Sequence, residues 1–493
     1  MPERGAEVSR GHSTREGRGR PERLEGEYGV HLVTVERQKS QEVLASPGGG
    51  RGEAPSASGG GTEAVMTVRG TGSPESKARL MEEVCERENL KRALRRVQAN
   101  KGGPGVDGMR VDELVGFLRE HWPVIREQLL TGAYRPQPVR RVEIPKHGGG
   151  VRKLGIPTVI DRFVQQAILQ VLQPQWDPTF SESSFGFRPG RSAHQAVEHA
   201  QCAIVEGHRW VVDIDLESFF DRVNHDILMA RVAKRVEDKR VLRVLRGFLK
   251  AGVMDGGLVN PVDEGTPQGG PLSPILSNLL LDDLDRELER RGHRFVRYAD
   301  DCNIYVASER AGQRVMASIT DFLERKLKLR VNRSKSAVAP VAERQFLGFS
   351  FVFGRNGKVK RKIAAKALRR FVGVVRKKTR RNRKVTIKAM VEDLGTYLRG
   401  WRGYFGFCQT PSVLHELDAW IRRRLRCVVW KQWKTPAQRH RRLRALGIGV
   451  TLTHMTAGSN RGLWAMSCSK GLQIALRNAS FDLLGLPRLE LAL

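Results

Sequence analysis

Two short apolar runs that end in acidic residues constrain the fold of this 493-residue chain more than any other feature. The first run, at 210–215, has the sequence WVVDID, and the second, at 295–306, has the sequence FVRYADDCNIYV. Short apolar runs are typical of buried strands, and the acidic interruption in the second run predicts two strands joined by a tight turn. Helices are expected before and after these strands rather than in even alternation with them. We therefore predict an α+β fold with a sheet that carries helices on one face.

The acidic residues of these runs predict a metal site. Asp213 and Asp215 are two residues apart in a strand, so both point to the same face of the sheet. Asp300 and Asp301 are adjacent, and like charges this close are unfavourable unless they share a cation such as Mg²⁺. A surface turn rich in aspartate explains the second pair equally well by itself. Three carboxylates from two strands instead favour two Mg²⁺ ions, ~3.5–4 Å apart, that activate a 3′-hydroxyl and stabilise a leaving pyrophosphate.

The charge of the chain indicates a polyanionic partner. Lys and Arg number 86 against 53 Asp and Glu, which gives a net charge of +33, so nucleic acid is the expected partner.

Hydrophobic residues make up 40% of the chain, enough for a sizeable core, but no apolar run reaches the ~20 residues that span a bilayer. The N-terminus has no apolar signal region. Six scattered cysteines fit a reducing cytoplasm and exclude zinc fingers and a secreted disulfide scaffold.

Composition divides the chain into segments. Residues 1–75 contain fifteen glycines and are predicted to be disordered, and residues 76–135 are predicted to be helical. Strands at 139–145 and 155–157 would form a hairpin, and a helix follows at 162–173. Sixteen basic residues and no acidic ones lie between 355 and 388, and apolar residues from Ile363 to Val375 recur there at helical spacing. This pattern predicts a basic amphipathic helix that binds a phosphate backbone; a solvated basic face is the alternative.

Six motifs, in order, resemble those of a known family. YADD at 298–301 resembles the YxDD box of reverse transcriptases, and DIDLESFFD at 213–221 resembles the acidic palm strand that precedes it. GTPQGGPLSP at 265–274 resembles their PQG box, and FLGF at 346–349 resembles the primer grip. RKLGIP at 152–157 and SFGFRPGRS at 184–192 resemble the fingers motifs of the group II intron members. The order and spacing are similar to those of group II intron-encoded reverse transcriptase/maturases over about residues 76–490.

The resemblance implies a right-hand polymerase: fingers and an antiparallel palm sheet, followed by an α-helical thumb/maturase domain. The implied divisions are an N-terminal extension at 1–75, a helical extension of the fingers at 76–135, fingers and palm at 136–353, a basic thumb/maturase domain X at 354–440, and a short C-terminal segment at 441–493. The sequence lacks the cysteine pairs of an HNH endonuclease, so second-strand nicking is not expected, and the DNA primer would come from elsewhere.

The resemblance also implies the site. The catalytic residues would be Asp215, Asp300 and Asp301, with Asp215, the Leu216 carbonyl and Asp300 as metal ligands; Asp213 is the competing candidate and is interpreted as a structural acid. Nucleotide-binding residues would be Lys153, Arg162, Phe220, Gln268 and Lys335. Lys335 could protonate the leaving pyrophosphate and Phe220 could exclude a 2′-hydroxyl; surface lysine and core phenylalanine are the alternatives.

Nucleic-acid contacts are implied at two further sets of residues. Template and primer would contact Arg188, Arg191, Gly269, Gly270, Phe346, Leu347 and Gly348. The two glycines would let the backbone approach the template pair, and Ser273-Pro274 would then cap and begin a helix. Intron RNA would contact Arg369, Arg370, Lys377, Lys378, Arg380, Arg381, Arg399 and Arg402.

The implied function is RNA-directed DNA synthesis with two Mg²⁺ ions, coupled to binding of a group II intron RNA that promotes its splicing and its mobility by target-primed reverse transcription. The implied partners are the intron RNA, an RNA template with a DNA primer, target DNA and dNTPs, with no membrane, in the bacterial cytoplasm. Two alternatives remain: a splicing-only maturase without polymerase activity, and a related reverse transcriptase recruited to defence or repair. Intact Asp215, Asp300 and Asp301 weigh against the first, since splicing-only relatives tend to lose these acids.

Overall fold

The computed structural model describes residues 79–145, 151–255, 258–260, 264–266, 269–354 and 356–490. The extension at 1–75 and Gln268 therefore lie outside the described residues. The fold is α+β: its strands, most of them paired antiparallel, lie between Val139 and Ile363, and the described residues after Ile363 form helices and loops. Within the described ranges, no helix combines the length and apolarity needed to cross a membrane.

The central feature is a four-stranded antiparallel sheet, the palm sheet, with strand order β6-β7-β3-β8. Its strands are β3 (Trp210–Ile214), β6 (Arg294–Tyr298), β7 (Asp301–Val306) and β8 (Ala337–Pro340). The prediction of a strand before the first acids and of a strand-turn-strand unit around YADD is confirmed.

Both faces of the palm sheet are covered. On one face Val212, Ile214 and Ile304 belong to a large apolar core shared with helices α8 (Ser273–Arg290) and α9 (Glu309–Lys326). On the other face, strand residues such as Val211 and Tyr305 pack with helix α5 (Ala193–Val205). The expectation of helices on one face alone was therefore wrong. The reason is that strand residues of both orientations are apolar, so each face needs a cover.

A second four-stranded sheet has the strand order β2-β1-β4-β5. Two of its strands come before β3 in the sequence, and the other two lie between β3 and β6. Strands β1 (Val139–Pro145) and β2 (Val151–Ile156) pair antiparallel, which confirms the predicted hairpin. The other strands are β4 (Val253–Asp255) and β5 (Leu258–Asn260). Helices α1 (Leu80–Val84), α2 (Arg87–Asn100), α3 (Leu114–Thr131), α4 (Val159–Trp176), α6 (His225–Ala233) and α7 (Lys239–Lys250) pack around the same core.

The carboxyl-terminal part begins with a two-stranded hairpin, β9 (Phe349–Phe353) and β10 (Val359–Ile363). Ile363, predicted at helical spacing, therefore ends a strand, and the basic helix α10 starts two residues later (Ala365–Lys378). Helices α11 (Ile387–Phe405) and α12 (Pro411–Gln432) share its core. Five short helices follow: α13 (Pro436–Ala445), α14 (Val450–Ala457), α15 (Leu463–Met466), α16 (Lys470–Ala475) and α17 (Asn478–Leu483).

One local prediction was wrong. Helix α8 begins at Ser273 itself, so Leu272 occupies the N-cap position and Pro274 lies at the second helical position. The missing N–H of proline costs nothing in either of the first two positions, because neither has an intrahelical acceptor. The sequence Ser-Pro therefore fits both registers.

Candidate active site

The register of the palm sheet brings the two acidic motifs to one edge. Ile214 at the end of β3 is opposite Cys302 in β7, and Tyr298 of β6 is opposite Asp301. The turn between β6 and β7 therefore consists only of Ala299 and Asp300. If this register continues by one residue, Asp215 is opposite Asp301, at the base of the turn.

Asp215 is held by the segment that follows α9. Its backbone N–H donates to the Ser336 hydroxyl at 2.9 Å, and its carbonyl accepts from the Asn332 N–H at 2.7 Å. Leu216 forms an isolated antiparallel bridge with Val331. Asp215 is only 6% exposed, and its Oδ2 lies 3.7 Å from the Nζ of Lys335. The end of β3 is thus held by β7 on one side and by the segment after α9 on the other.

Asp213 lies deeper in the sheet than Asp215. It is opposite Asn303 of β7 and Ala337 of β8, so neighbouring strands flank it on both sides. Burial, together with the nearby Asp213 carboxylate, raises the pKa of Tyr305, although a hydrogen bond with Asn303 opposes this. Asp213 and Asp215 are almost equally buried, at 7% and 6% exposed, and they differ in that Asp213 lies within β3 whereas Asp215 directly follows its last residue.

The turn that carries Asp300 is conformationally unusual. Ala299 has a φ of 56°, in the left-handed region that a residue with a Cβ adopts only at a cost. The backbone of Gly186 lies against this turn: a Cβ at Gly186 would be 2.2 Å from the Ala299 nitrogen. The fingers motif at 184–192 is therefore in direct contact with the acidic turn.

The glycines of the PQG motif are close to other protein segments. A Cβ at Gly269, whose φ is 133°, would lie 2.8 Å from the Gly155 carbonyl oxygen in β2. A Cβ at Gly270 would lie 2.4 Å from Oε1 of Gln165 in α4. These contacts give both glycines a packing role. Their predicted approach to the template pair stays a prediction.

The predicted nucleotide-binding residues occupy different environments. Lys153 is exposed on β2, whereas burial lowers the pKa of Arg162, whose guanidinium donates to the Gly103 carbonyl at 2.7 Å. Phe220 is half-buried, with its ring 5.1 Å from that of Phe219, and its carbonyl accepts from the Thr266 N–H at 2.6 Å. The strand end that carries Asp215 is thus tied to the PQG motif through Phe220.

The two arginines of the fingers motif are bound to protein groups. Arg188 is 7% exposed, and its guanidinium contacts the Asp177 carboxylate at 2.9 Å and the carbonyls of Ser181 and Ser184. Arg191 is half-buried, is paired with Glu182, and lies 5.3 Å from the centre of the Phe185 ring. Because its donors are occupied within the protein, Arg188 has a structural role in this structure.

The FLGF motif forms a tight turn against α11. Phe346 and Phe349 exchange two backbone hydrogen bonds of 2.8 and 2.9 Å, and the Leu347 carbonyl accepts from the Tyr404 hydroxyl at 2.8 Å. Gly348 has a φ of 79°, and a Cβ there would lie 3.1 Å from the Phe405 ring. Phe346 and Leu347 are buried, and their predicted contact with a primer stays a prediction.

Most of the predicted RNA-binding residues form an exposed basic surface on α10 and the segment after it. Those that are exposed are Arg369, Arg370, Lys377, Arg380, Arg381 and, on α11, Arg399. Lys378 is different, because its ammonium contacts the Asp393 carboxylate at 2.6 Å. Arg402 is half-buried. The buried residues Phe371 and Val375 hold the other face of α10 against the core, as the amphipathic pattern predicts.

Comparison with known proteins identifies two parts of the chain. Residues 144–351 match the family described as "Reverse transcriptase (RNA-dependent DNA polymerase)", and residues 368–447 match "Group II intron, maturase-specific domain". The chain belongs to the group II intron-encoded reverse transcriptase/maturase family. The resemblance inferred from the six motifs, and the α+β polymerase fold that it implies, are confirmed.

Individual members show the extent of the similarity. Protein YkfC of Escherichia coli is 35% identical over 315 residues, which cover 56% of this chain and 81% of that protein. The group II intron-encoded protein LtrA of Lactococcus lactis is 29% identical over 335 residues, which cover 55% of this chain and 56% of that protein. The chain thus spans about half the length of LtrA. Among solved structures, a chain of a partial Cas6-RT-Cas1–Cas2 complex matches with a TM-score of 0.33 and 24% identity over 50% of this chain and 43% of that chain. The family assignment rests on the sequence matches alone.

Sequence reasoning missed the buried residues that hold the acidic turn through hydrogen bonds. Arg297 of β6 is fully buried and contacts Asp285 and Asn278 of α8. A charged residue between the apolar Val296 and Tyr298 was a usable signal. The two α8 residues are seven positions apart, which puts them on one face of the helix, but only the fold shows that this face meets Arg297.

Proposed function

We propose that this chain is an RNA-directed DNA polymerase that extends a DNA primer on an RNA template with dNTPs in the presence of Mg²⁺. We further propose that it binds a group II intron RNA, helps it to splice, and copies it into target DNA. The observation that carries the first proposal is the meeting of Asp215, Asp300 and Asp301 at one edge of the palm sheet, as the strand register requires. The second rests on the family assignment and on the basic surface of α10.

The residues at this edge fit Mg²⁺ by their chemistry. Asp215 and Asp300 provide carboxylate oxygens and Leu216 a backbone carbonyl, which are the hard ligands that Mg²⁺ prefers. Within the described residues, no set of three or more His, Cys, Asp or Glu side chains is arranged as a metal site, so water, nucleotide phosphates and the Leu216 carbonyl would complete the coordination. When bound, the metal ions would lower the pKa of the primer hydroxyl and neutralise charge on the pyrophosphate.

The other residues near this edge have roles that follow from their positions. Lys335 brings an ammonium group to within 3.7 Å of the Asp215 carboxylate, where it can protonate the leaving pyrophosphate. The backbone of Phe220 is held by its bond to Thr266, near the strand end that would meet the sugar of the incoming nucleotide. Lys153 is exposed on β2 and is free to approach the triphosphate.

Primer extension on an RNA template tests the polymerase. Wild type is compared with Asp300→Asn, which keeps the size of the side chain, and with Asp283→Asn, which changes an aspartate of α8 paired with Arg231. We expect cDNA from wild type and from the Asp283 variant, and none from the Asp300 variant. A wild-type chain that is folded and binds RNA but makes no cDNA would overturn the polymerase and favour the splicing-only maturase.

The same assay distinguishes the two acids of β3. Asp215→Asn is expected to abolish synthesis, because Asp215 lies at the strand end beside the acidic turn. Asp213→Asn is expected to retain measurable synthesis, because Asp213 is enclosed between strands. Loss of synthesis in the Asp213 variant alone would reverse the assignment.

A further inference from the structure

Arg297 is fully buried, and every N–H of its guanidinium has a protein acceptor. Nε and Nη2 donate to the two oxygens of Asp285 at 2.7 and 2.6 Å. Nη2 also donates to the Ser184 hydroxyl at 2.7 Å, and Nη1 donates to the Asn278 side chain and to the Ala299 carbonyl, both at 2.9 Å. A guanidinium has five N–H donors, so none is left over.

These contacts connect the acidic turn to two other segments. Asn278 of α8 accepts from Arg297 and donates to the Gly186 carbonyl at 2.8 Å. Gly186 in turn lies against the Ala299 nitrogen, and Phe185 donates its N–H to the Arg297 carbonyl at 2.9 Å. The fingers motif, α8 and the turn that carries Asp300 therefore form one closed network.

Stability alone does not account for a buried ion pair at this place. Removing two charges from water is costly, and well-packed apolar side chains of similar volume are often as stable as a buried pair, or more so. What apolar side chains cannot supply is a donor for the Ala299 carbonyl. That carbonyl precedes Asp300 directly, and it belongs to the residue whose φ of 56° has to be maintained by its surroundings.

We propose that Arg297, oriented by Asp285 and Asn278, is a positioning residue for the catalytic carboxylates. By holding the Ala299 carbonyl, it sets the position of Asp300 and Asp301 relative to Asp215 and couples that position to the fingers motif. The consequence for synthesis rests on the proposed polymerase activity, but the effect on the turn itself does not.

The test replaces the pair without leaving a buried charge. The double variant R297M/D285L removes both charged groups and keeps similar volumes, so we expect it to fold. The matched control is R422M/D418L, which removes the buried pair of Arg422 and Asp418 in α12, where the groups are 2.8 Å apart. The Asn278→Ala variant breaks the network more mildly, since it leaves the Arg297–Asp285 pair intact.

Three quantities are measured on the full chain: hydrogen–deuterium exchange of the peptide that contains the acidic turn, kcat for primer extension as a function of Mg²⁺ concentration, and the Kd for RNA. In R297M/D285L we expect roughly 10–100-fold faster exchange at the turn, a kcat lower by roughly 10–100-fold, a higher Mg²⁺ requirement and an unchanged Kd. Asn278→Ala should change the same quantities by less. The R422M/D418L control should leave exchange at the turn and the Mg²⁺ requirement as in wild type.

Wild-type exchange at the turn in a folded R297M/D285L protein would overturn the proposal, as would an unchanged Mg²⁺ requirement. If R297M/D285L does not fold, Asn278→Ala decides between the outcomes by the same measurements. If wild type itself makes no cDNA, the proposed polymerase fails, and exchange at the turn still decides whether Arg297 positions it.

Discussion

The Nζ of Lys335 lies 3.7 Å from the Oδ2 of Asp215, and this contact joins the segment after α9 to the end of β3. The Lys335 side chain is 37% exposed and that of Asp215 is 8% exposed, so the ammonium group lies between the buried carboxylate and solvent. The next residue, Ser336, binds the Asp215 N–H through its hydroxyl, which fixes the backbone beside the lysine. This position fits the role proposed for Lys335, that of a proton donor for the leaving pyrophosphate.

Lys335→Ala is expected to lower kcat for primer extension by roughly 10²–10⁴-fold, the usual contribution of a general acid, with little change in RNA affinity. Lys335→Arg separates two explanations, because arginine keeps the charge but does not release a proton at ordinary pH. Recovery of the rate by arginine would show that the charge alone matters. Single-turnover extension across a pH series is the measurement, with Lys326→Ala at the exposed end of α9 as the control. A wild-type rate for Lys335→Ala would contradict the assignment.

The contact between fingers and palm gives a second prediction. Gly186→Ala would place a Cβ 2.2 Å from the Ala299 nitrogen and 2.9 Å from the Tyr298 carbonyl carbon, both backbone atoms that cannot rotate away. The acidic turn must then shift, and a shift of about 1 Å at a catalytic group can cost about 100-fold in rate. We expect that loss in kcat, with about 1–3 kcal/mol lost from the free energy of unfolding.

The control for this prediction is Gly116→Ala in α3, where an added Cβ meets no atom within 4 Å. Gly116 lies in the first turn of α3, where alanine is tolerated at least as well as glycine, so this variant should be at least as stable as wild type and fully active. Thermal unfolding and primer extension are measured on both variants. Full activity in Gly186→Ala would show that the turn does not depend on this contact.

The sequence predicted the acidic motifs and the main strands because both depend on local patterns. The length and apolar character of the runs around Ile214 and Cys302 suffice to predict strands, and the family motifs then predict that Asp215 and Asp300 belong to one site. The network around Arg297 could not be predicted in the same way, since Asn278, Asp285 and Ser184 come from segments distant in sequence. The helix α5, which covers the second face of the sheet, was missed for a related reason. The sequence of a five-residue strand such as β3 does not show which of its apolar side chains pack against which helix.

Arg188 provides a third prediction, in which structure and sequence motif point to different roles. Its side chain is 3% exposed and contacts Asp177, whereas the resemblance implies contact with the template. Breaking a buried ion pair by removing one partner costs about 3–5 kcal/mol, so Arg188→Ala is expected to lower the free energy of unfolding by about that amount. In the fraction that folds at low temperature, RNA affinity should equal that of wild type.

Denaturant unfolding and RNA titration at low temperature measure the two effects in Arg188→Ala. Arg191→Ala is the comparison, because the side chain of Arg191 is 19% exposed and that of its partner Glu182 is 84% exposed, so the pair lies at the surface. Exposed pairs contribute about 0–1 kcal/mol, so this variant should unfold nearly as wild type does. Weaker RNA binding by Arg188→Ala, with unchanged stability, would restore the predicted template contact.

Two adjacent lysines of α10 give the last prediction, which concerns the basic surface. Lys377 is exposed, whereas Lys378 contacts Asp393 at 2.6 Å, and Asp393 also pairs with Arg383 at 3.1 Å. Each phosphate that a cation neutralises adds about 0.7–0.9 to the slope of log Kd against log salt concentration, because counterions are released. If Lys377 contacts RNA, Lys377→Ala should reduce the slope by about that amount. Lys378→Ala should reduce it less, because the Asp393 carboxylate already compensates this charge. Equal slopes for wild type and both variants would place the RNA elsewhere on the chain.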